Sequence, residues 1–507
     1  MKIFLGLDIG TSGCKALLMD GEGTVLAHAM NEYAIRNPQP LWSEQDPSDW
    51  WEAVIRSLHD ICITASIRPS DILAIGLTGQ MHGLVLLDQN NEVIRPCILW
   101  NDQRTAAQCR EINGLLGEDQ LLNLTGNQVL PGFTAPKILW VREQEREQYA
   151  RIRKILLPKD YIRYCFTRTF FTDVSDASGT SLFDVSKRSW SSEMVDALSI
   201  PHDWLPEIAE SPTIVSGVDH IAARLTGLKE GTPIVAGAGD QAAQAIGSGV
   251  IVNGRVSVTI GTSGVVFAST EKYHVDRKGR MHAFCHAAPD LWHVMGVMLS
   301  AGGSLRWFRD SLCHDEVRRA KELSLDPYDL LTELASGIPI GSDDLLFLPY
   351  LSGERTPHAD PYARGVFFGL TQRHTKAHLT RAVMEGITFG LRDSFELLKE
   401  NGIKVERIRM SGGGAKSKFW QQMLADVFHS EIEVPLVSEG AAYGAAIIAA
   451  VGAGEFPTVQ EACERVIRIS SLTAPSSDAR LYDAHYERYR ALYPALKNQF
   501  GRLASTP

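Results

Sequence analysis

A repeated pentapeptide constrains the fold of this chain more than any other feature. Ile-Gly-Thr-Ser-Gly occurs at residues 9–13 and again at residues 260–264. Each copy lies between two apolar runs, and glycine with small hydroxyl residues favours a tight turn between strands. A single match of five small residues also arises by chance, or because many hairpin turns use the same residues. Because the setting is the same and the copies lie about half the chain apart, they predict two lobes of related topology.

These turns have the composition of a phosphate site. Successive backbone N–H groups in a glycine-rich turn form a concavity that binds anions. In the first hairpin Asp8 precedes the turn and Lys15 opens the next strand, and a carboxylate beside a phosphate indicates a bridging cation such as Mg²⁺. A third glycine-rich turn, at residues 412–414, follows an apolar run and leads into a predicted helix that suits a nucleotide. The alternative is that these glycines only end strands.

Composition excludes several classes of partner. The 507 residues suffice for two or three domains, and 50 basic against 60 acidic residues give a net charge of −10. Without basic runs, this charge argues against nucleic acid or an anionic membrane as the partner. Eight scattered cysteines without a CxxC pair fit reduced thiols in the cytoplasm. No signal peptide or membrane span is predicted, since the Gly- and Ala-rich stretch 440–454 is short and indicates a closely packed buried helix.

Two familiar nucleotide motifs and the protein-kinase catalytic set are absent from the sequence. Neither GxxxxGK[ST] nor GxGxxG occurs, and there is no HRD set. A phosphate site in this chain therefore belongs to another fold.

Asp240 is the candidate catalytic base. It lies in Gly-Ala-Gly-Asp-Gln at residues 237–241, where a predicted strand meets a helix of small residues. The ordinary interpretation of such an aspartate is a helix N-cap. The functional interpretation is a general base that accepts a hydroxyl proton during phosphoryl transfer. The small neighbours leave room for a ligand and favour the second interpretation.

Polar loops between apolar strands are candidates for substrate contacts. Met81 and His82 lie in one such loop and Trp100 in another, at residues 100–104. Polar loops on buried flanks often hold binding residues, and an aromatic wall with hydrogen-bonding groups suits a polyol, although a locally solvated loop is the alternative. His282, Cys285, His286 and His293 invite a zinc site, but their segment alternates like a strand pair and lacks a second cysteine pair.

At these motifs the chain resembles the FGGY carbohydrate kinases, from Asp8 to about Ala450. Residues 8–15 and 259–264 are similar to the two phosphate motifs of the family, residues 412–415 to its adenosine motif, and residues 132–140 and 365–385 to its two signature patterns. Within the family, Met81-His82 after Gln80 resembles the xylulokinases, whereas glycerol kinases have an Arg-Glu pair there. The segments PLWSEQDP, ILWND, LLPKDY and YLSGERTPH are similar to xylulokinase segments. Gln241 departs from the asparagine common at that position.

The resemblance implies an α/β, two-lobed, actin/Hsp70-like (ribonuclease H-like) ATPase fold with ATP in the interlobe cleft. Residues 1–246 are expected to form a sugar-binding lobe, and residues 247–507 an ATP-binding lobe with a terminal helix. The implied activity is ATP-dependent phosphorylation of a sugar hydroxyl, with D-xylulose converted to D-xylulose 5-phosphate. One alternative is a kinase for another ketose or a polyol, such as ribulose, and another is a nucleotide-switched clamp. The resemblance also suggests a homodimer.

The resemblance implies roles for particular residues. Asp240 and Asp8 are expected to be catalytic, and both are expected to lie at the Mg²⁺ ion. The expected sugar contacts are Met81, His82, Trp100 and Gln241. The expected ATP contacts are Thr11, Ser12, Lys15, Gly261, Thr262, Ser263, Gly413 and Gly414.

Overall fold

Two seven-stranded mixed sheets, one from each half of the chain, form the framework of the protein. The computed structural model describes residues 1–504. The predicted terminal helix is present as Leu481–Ala504. Residues 505–507, the end of the second predicted lobe, lie outside the described residues.

The first half of the chain alternates short strands with helices. Its strands are β1 (Ile3–Ile9), β2 (Gly13–Asp20), β3 (Val25–Glu32), β4 (Glu44–Gln45), β5 (Ile72–Gly79), β6 (Val85–Leu87), β7 (Cys97–Ile98), β8 (Lys154–Leu156), β9 (Phe171–Asp173), β10 (Phe183–Asp184), β11 (Ser189–Trp190), β12 (Glu207–Ala209), β13 (Ile214–Gly217), β14 (Pro233–Val235) and β15 (Ala238–Gly239). Its helices are α1 (Pro47–Ala65), α2 (Ala106–Leu116), α3 (Glu118–Thr125), α4 (Thr134–Gln144), α5 (Arg146–Arg151), α6 (Pro158–Thr167), α7 (Val174–Ala177), α8 (Ser192–Ala197), α9 (His220–Thr226) and α10 (Asp240–Gly247).

The second half has fewer strands and longer helices. Its strands are β16 (Arg255–Ile260), β17 (Gly264–Thr270), β18 (His282–Cys285), β19 (Trp292–Met298), β20 (Leu346–Leu348), β21 (Val366–Phe368), β22 (Arg407–Ser411), β23 (Ile432–Pro435) and β24 (Ile469–Thr473). Its helices are α11 (Gly302–Leu312), α12 (His314–Leu323), α13 (Pro327–Ser336), α14 (Lys376–Glu400), α15 (Lys418–Phe428), α16 (Gly440–Gly452), α17 (Val459–Val466) and α18 (Leu481–Ala504).

The two large sheets repeat one topology. The first has the order β3-β2-β1-β5-β14-β13, and the second contains β19-β17-β16-β22-β23-β24, with β18 added at its edge. In both, neighbouring strands pair in the sequence antiparallel, antiparallel, parallel, parallel, antiparallel. The two pentapeptides form the equivalent β1–β2 and β16–β17 hairpins. The predicted pair of related lobes is therefore confirmed.

Helix α16 connects the lobes by backbone contact. It comes from the second half of the chain but packs on β1 and β5 of the first sheet and on α10. A Cβ atom at Gly76 of β5 would lie 1.9 Å from the carbonyl oxygen of Ala445, and one at Gly444 would lie 1.9 Å from that of Ala243. Glycine is therefore needed on both sides of this contact. The prediction of a closely packed buried helix here is confirmed.

Other predicted features are also present in the structure. Asp46 caps α1 by accepting from the N–H of Ser48, and Pro47 is the first helical residue. β18 and β19 form the antiparallel pair expected for the histidine-containing segment. All eight cysteines are free and buried. None of the helices within residues 1–504 combines the length and apolar character that crossing a bilayer requires.

Candidate active site

Asp8 and Asp240 lie at the carboxyl ends of adjacent strands in the first sheet. Asp8, near the end of β1, is in register with Thr78 on the parallel strand β5. On the other edge of β5, Thr78 pairs with Ala238 of the parallel strand β15, and Asp240 follows that strand. In open α/β sheets, ligands bind outside the carboxyl ends of the strands. The N-cap of α10 is Gly239 and Asp240 is the first helical residue, so the interpretation of Asp240 as the helix N-cap is wrong.

The pKa of each of these carboxyl groups is raised towards neutral pH. Burial, and secondarily the charge of Asp8, raise the pKa of Asp240 to about 7. Burial raises the pKa of Asp8 to about 6, although the charge of Lys15 opposes this shift. Lys15 is directly opposite Asp8 in the β1–β2 ladder. Two interacting carboxyl groups titrate as a pair, and a proton or a cation between them relieves their repulsion.

Among residues 1–504, three buried oxygens at these strand ends have no hydrogen-bond partner: Asp8 Oδ1, Thr78 Oγ1 and Gln80 Oε1. Asp8 and Thr78 face the same side of the sheet because they are paired, and Gln80, two residues after Thr78, faces that side as well. Buried polar atoms are nearly always bonded, so unpaired oxygens at one place indicate a bound polar group. Mg²⁺ is commonly held by one or two carboxylates together with phosphates. The residues present therefore fit Mg²⁺.

The histidine-containing segment is engaged in other contacts. His282 Nδ1 is 3.2 Å from Asn127 Oδ1, and His286 Nε2 is 2.9 Å from the carbonyl oxygen of Val250. His293 stacks on Phe267 with ring centroids 4.1 Å apart. Within the described part of the chain, residues 1–504, no group of three or more His, Cys, Asp or Glu side chains is placed to hold a metal.

His82 is held in an unusual conformation by several contacts. Its φ angle is +69°, a left-handed backbone conformation that is uncommon for residues other than glycine. Its carbonyl oxygen accepts from Thr134 Oγ1 at 3.1 Å and from Lys137 Nζ at 2.8 Å. Its ring stacks on Phe133, with centroids 4.5 Å apart. Lys137 and Thr134 were not among the predicted site residues.

The chemistry of the His82 ring follows from its partner. Nδ1 lies 2.6 Å from the carbonyl oxygen of Gly179, and since a carbonyl only accepts, Nδ1 carries the proton. Burial lowers the pKa of His82 to about 3, so the ring is neutral. Nε2 is therefore left as a hydrogen-bond acceptor, which suits a hydroxyl group.

The remaining predicted sugar contacts lie around the same strand ends. Met81 packs against Gly239, where a Cβ atom would lie 3.0 Å from Met81 Sδ. Gln241 Nε2 is 3.4 Å from Asp240 Oδ1. Trp100 Nε1 donates to Thr11 Oγ1 at 2.9 Å, which joins the second polar loop to the turn of the first hairpin. The structure thus brings the predicted sugar residues to the neighbourhood of the two carboxylates.

A cavity of about 540 Å³ opens in the second lobe. Gly261, Thr262, Gly413 and Gly414 line it, so both glycine turns of this lobe contribute to one site. Ser263 is not among its lining residues, and Thr11, Ser12 and Lys15 lie in the other lobe, in the turn and strand after Asp8. Sequence reasoning missed other walls of this cavity, which no recognised motif marks: Leu305, Arg306, Asp326, Tyr328, Thr332 and Trp420.

Helix α10 joins the carboxylate pair of the first lobe to the cavity of the second lobe. It begins with Asp240, and one turn later Gln244 Nε2 donates to Ser411 Oγ of the second lobe at 3.3 Å. Ser411 Oγ also lies 2.8 Å from Thr259 Oγ1. The residue Ser411 directly precedes the glycine turn 412–414. Residues four apart share a helix face and are separated by about 6 Å of rise. The carboxylate pair and the wall of the cavity are therefore connected through a single helical turn.

The fold and the site together define a class of protein. The protein has two lobes of repeated topology. One lobe carries paired carboxylates at its strand ends, and the other has a nucleotide-sized cavity lined by glycine turns. These are the features of the actin-like, ribonuclease H-like ATPases. Residues 3–247 match the N-terminal domain, and residues 256–453 the C-terminal domain, of the FGGY family of carbohydrate kinases. The chain belongs to this family, whose sugar kinases use ATP.

Individual relatives extend over nearly the whole chain. A xylulose kinase from Bacillus subtilis (strain 168) is 40% identical over 500 residues, which are 98% of this chain and 98% of that protein. A gluconokinase from the same organism is 33% identical over 503 residues, 99% and 97% of the two chains. The crystal structure of a ligand-bound xylulose kinase from Lactobacillus acidophilus matches with a TM-score of 0.92 at 27% identity, covering 99% of this chain and 100% of that chain.

Proposed function

We propose that this protein transfers the γ-phosphoryl group of ATP to the terminal hydroxyl of D-xylulose, giving D-xylulose 5-phosphate and ADP. The observation that carries the proposal is the position of Asp8 and Asp240 beside Met81 and His82. The nearly full-length similarity to xylulose kinases supports the choice of sugar. We assign sugar binding to residues 1–246 and ATP binding to the lobe that begins at residue 247.

Asp240 acts as the general base in this proposal. The sugar O–H bond breaks, its proton passes to the carboxylate of Asp240, and the oxygen forms a bond to the γ-phosphorus as the bond to the β-phosphate oxygen breaks. With a pKa near 7, Asp240 is partly ionised at neutral pH and can still take up a proton. Phosphoryl transfer passes through a loose transition state, so positioning and charge neutralisation matter more than base strength.

The other residues orient the two substrates. His82 Nε2 accepts a hydrogen bond from a sugar hydroxyl, and Met81 and Trp100 form the apolar walls. The N–H groups of the turns at Thr262 and Gly413 face the nucleotide. Asp8 and Asp240 would hold Mg²⁺, which when bound supplies positive charge against the phosphates. Closure of the lobes would exclude water, a competing acceptor for the phosphoryl group.

A steady-state assay of ADP release with MgATP and a panel of acceptors tests the proposal. We expect D-xylulose to give the highest kcat/KM, above D-ribulose, D-gluconate and glycerol. D-Gluconate belongs in the panel because a gluconokinase is a relative over nearly the whole chain. A higher kcat/KM for another acceptor would contradict the choice of xylulose. ADP release that no acceptor stimulates would contradict sugar phosphorylation and would favour a nucleotide-switched clamp.

We expect His82→Ala to raise the KM for D-xylulose by about 10- to 100-fold and to change kcat much less. The substitution removes one buried hydrogen bond to the sugar, and losing such a bond costs about 1–3 kcal/mol. Steady-state kinetics with varied D-xylulose at saturating MgATP would measure the change. His59→Ala is the matched control because the side chain of His59, on α1, is 73% exposed. An unchanged KM in His82→Ala would remove His82 from the sugar site.

A further inference from the structure

A short buried segment lies between the two groups that act on the sugar. It consists of α7 and the 3₁₀ turn Ser178–Thr180, and we call residues 174–180 the bridging segment. All of its residues are buried. None of these residues was predicted as part of the site, and none belongs to a recognised motif.

Ser175 of the bridging segment contacts the peptide that precedes the base. Its hydroxyl donates to Asp173 Oδ2, so its lone pairs are free to accept. The N–H of Gly239 donates to Ser175 Oγ at 3.1 Å. Gly239 is the N-cap of α10 and the residue immediately before Asp240. The Ser175 hydroxyl therefore sets where the main chain enters the helix that carries Asp240.

Gly179 of the same segment contacts His82. Its carbonyl oxygen accepts from His82 Nδ1 at 2.6 Å and thereby fixes the tautomer that leaves Nε2 as an acceptor. A Cβ atom at Gly179 would lie 2.4 Å from both Nδ1 and Cε1 of the ring. No side chain fits at this position without displacing the imidazole. Gly179 therefore determines both the place and the hydrogen-bonding direction of His82.

Buried charges hold the bridging segment in place. Asp173 caps α7 by accepting from the N–H groups of Ser175 and Asp176. Lys159 Nζ lies 2.8 Å from Asp173 Oδ1 and 3.2 Å from Asp176 Oδ2, and all three side chains are fully buried. Arg163, also fully buried, pairs with Asp160 and donates to the carbonyl oxygen of Ala236, in the strand region leading to Asp240. Buried, paired charges permit few alternative geometries because any unpaired ion is costly.

The bridging segment also contacts the second lobe. The N–H of Cys285, on β18, donates to Ser178 Oγ at 3.0 Å. Ser178 in turn donates to the carbonyl oxygen of Val174 at 2.7 Å. One rigid segment is thus bonded to the base-bearing helix, to the sugar-binding histidine and to the sheet of the ATP-binding lobe.

We propose that the bridging segment positions the reacting groups of the sugar site: Ser175 places Asp240 for proton transfer, and Gly179 places His82 for sugar binding. This inference rests on the proposed function. It assigns the two residues separable effects, because one contact acts on the base and the other on the ligand. Ser175 and Gly179 are positioning residues, since they act through Gly239 and His82.

Two substitutions in this one segment test the proposal. We expect Ser175→Ala to lower kcat by about 10-fold or more with the KM for D-xylulose within about threefold of wild type, because the misplaced base slows the chemical step. We expect Gly179→Ala to raise the KM for D-xylulose by about 10-fold or more with a smaller change in kcat. Steady-state kinetics at saturating MgATP and thermal melting of each variant give the readouts.

Thr226→Ala is the matched control for loss of a buried helical hydroxyl. Thr226 lies at the end of α9, and its hydroxyl donates to the carbonyl oxygen of Ala222 and accepts from the N–H of Leu228. We expect it to melt earlier than wild type with unchanged kcat and KM. The inference would be overturned if Ser175→Ala and Gly179→Ala changed kcat and KM in the same way as each other. Wild-type kinetics in either variant would also overturn it. A wild-type enzyme that does not phosphorylate D-xylulose would instead overturn the proposed function, so the two failures are distinguishable.

Discussion

Asp240→Asn is expected to lower kcat for D-xylulose phosphorylation by about 10²- to 10⁴-fold, the range that loss of a general base produces. Asparagine keeps the size of the side chain and its contact with Gln241, but it cannot accept the hydroxyl proton. The dissociation constant for D-xylulose should change little, because Met81, His82 and Trp100 remain. Single-turnover phosphorylation and equilibrium sugar binding, measured on the same preparation, separate the two effects.

Asp219→Asn is the matched control for this substitution. Asp219 also lies at the start of a helix, but it caps α9 by accepting from the N–H of Ala222 at 2.7 Å. Asparagine caps helices about as well as aspartate, and within residues 1–504 Asp219 makes no contact in the sugar site, so this variant should keep its kcat. Near-normal turnover of Asp240→Asn would show that Asp240 is not the base and would contradict the proposed mechanism.

The sequence predicted those parts of the fold that local chemistry determines. The turns of the β1–β2 and β16–β17 hairpins depend on glycine and small hydroxyl residues within a few positions, so both hairpins were recognisable. Their repetition was enough to predict two related lobes. Asp46 and Pro47 marked the start of α1 for the same reason, since a cap and a first-turn proline act on neighbouring backbone groups.

Contacts between distant segments could not be predicted in this way. Ser175 and Gly179 are an ordinary serine and glycine in the sequence, and they come into contact with Gly239 and His82 only because the bridging segment packs between those two residues. Likewise, Tyr328 and Trp420 line the cavity of the second lobe because α13 and α15 both pack on α14. The pattern at Asp240 was compatible with either a cap or a base. Only the register of β1, β5 and β15 places Asp240 beside Asp8.

Asp8→Asn is expected to lower kcat by about 10²-fold or more and to raise the Mg²⁺ concentration needed for half-maximal activity. Asp8 contributes one of the two carboxylates at the strand ends, and its buried Oδ1 atom finds no hydrogen-bond partner in the described part of the chain. The amide that replaces it is a neutral and weaker ligand for Mg²⁺. Titration of activity with Mg²⁺ at saturating ATP and D-xylulose measures this. Asp60→Asn, at an exposed carboxylate on α1, should match wild type.

Asp8→Asn should also change the pH dependence of the reaction, an effect that the loss of a Mg²⁺ ligand alone does not predict. In the proposed mechanism Asp240 reacts as the ionised base, and its pKa is raised to about 7, by burial first and then by the charge of Asp8. In the wild-type enzyme kcat/KM for D-xylulose should therefore fall as the pH drops below about 7. Removing the charge of Asp8 lowers the pKa of Asp240, so the acidic limb of the profile should move to lower pH in Asp8→Asn. A limb that stays in place, or that moves to higher pH, would show that the two carboxylates do not interact as the structure places them.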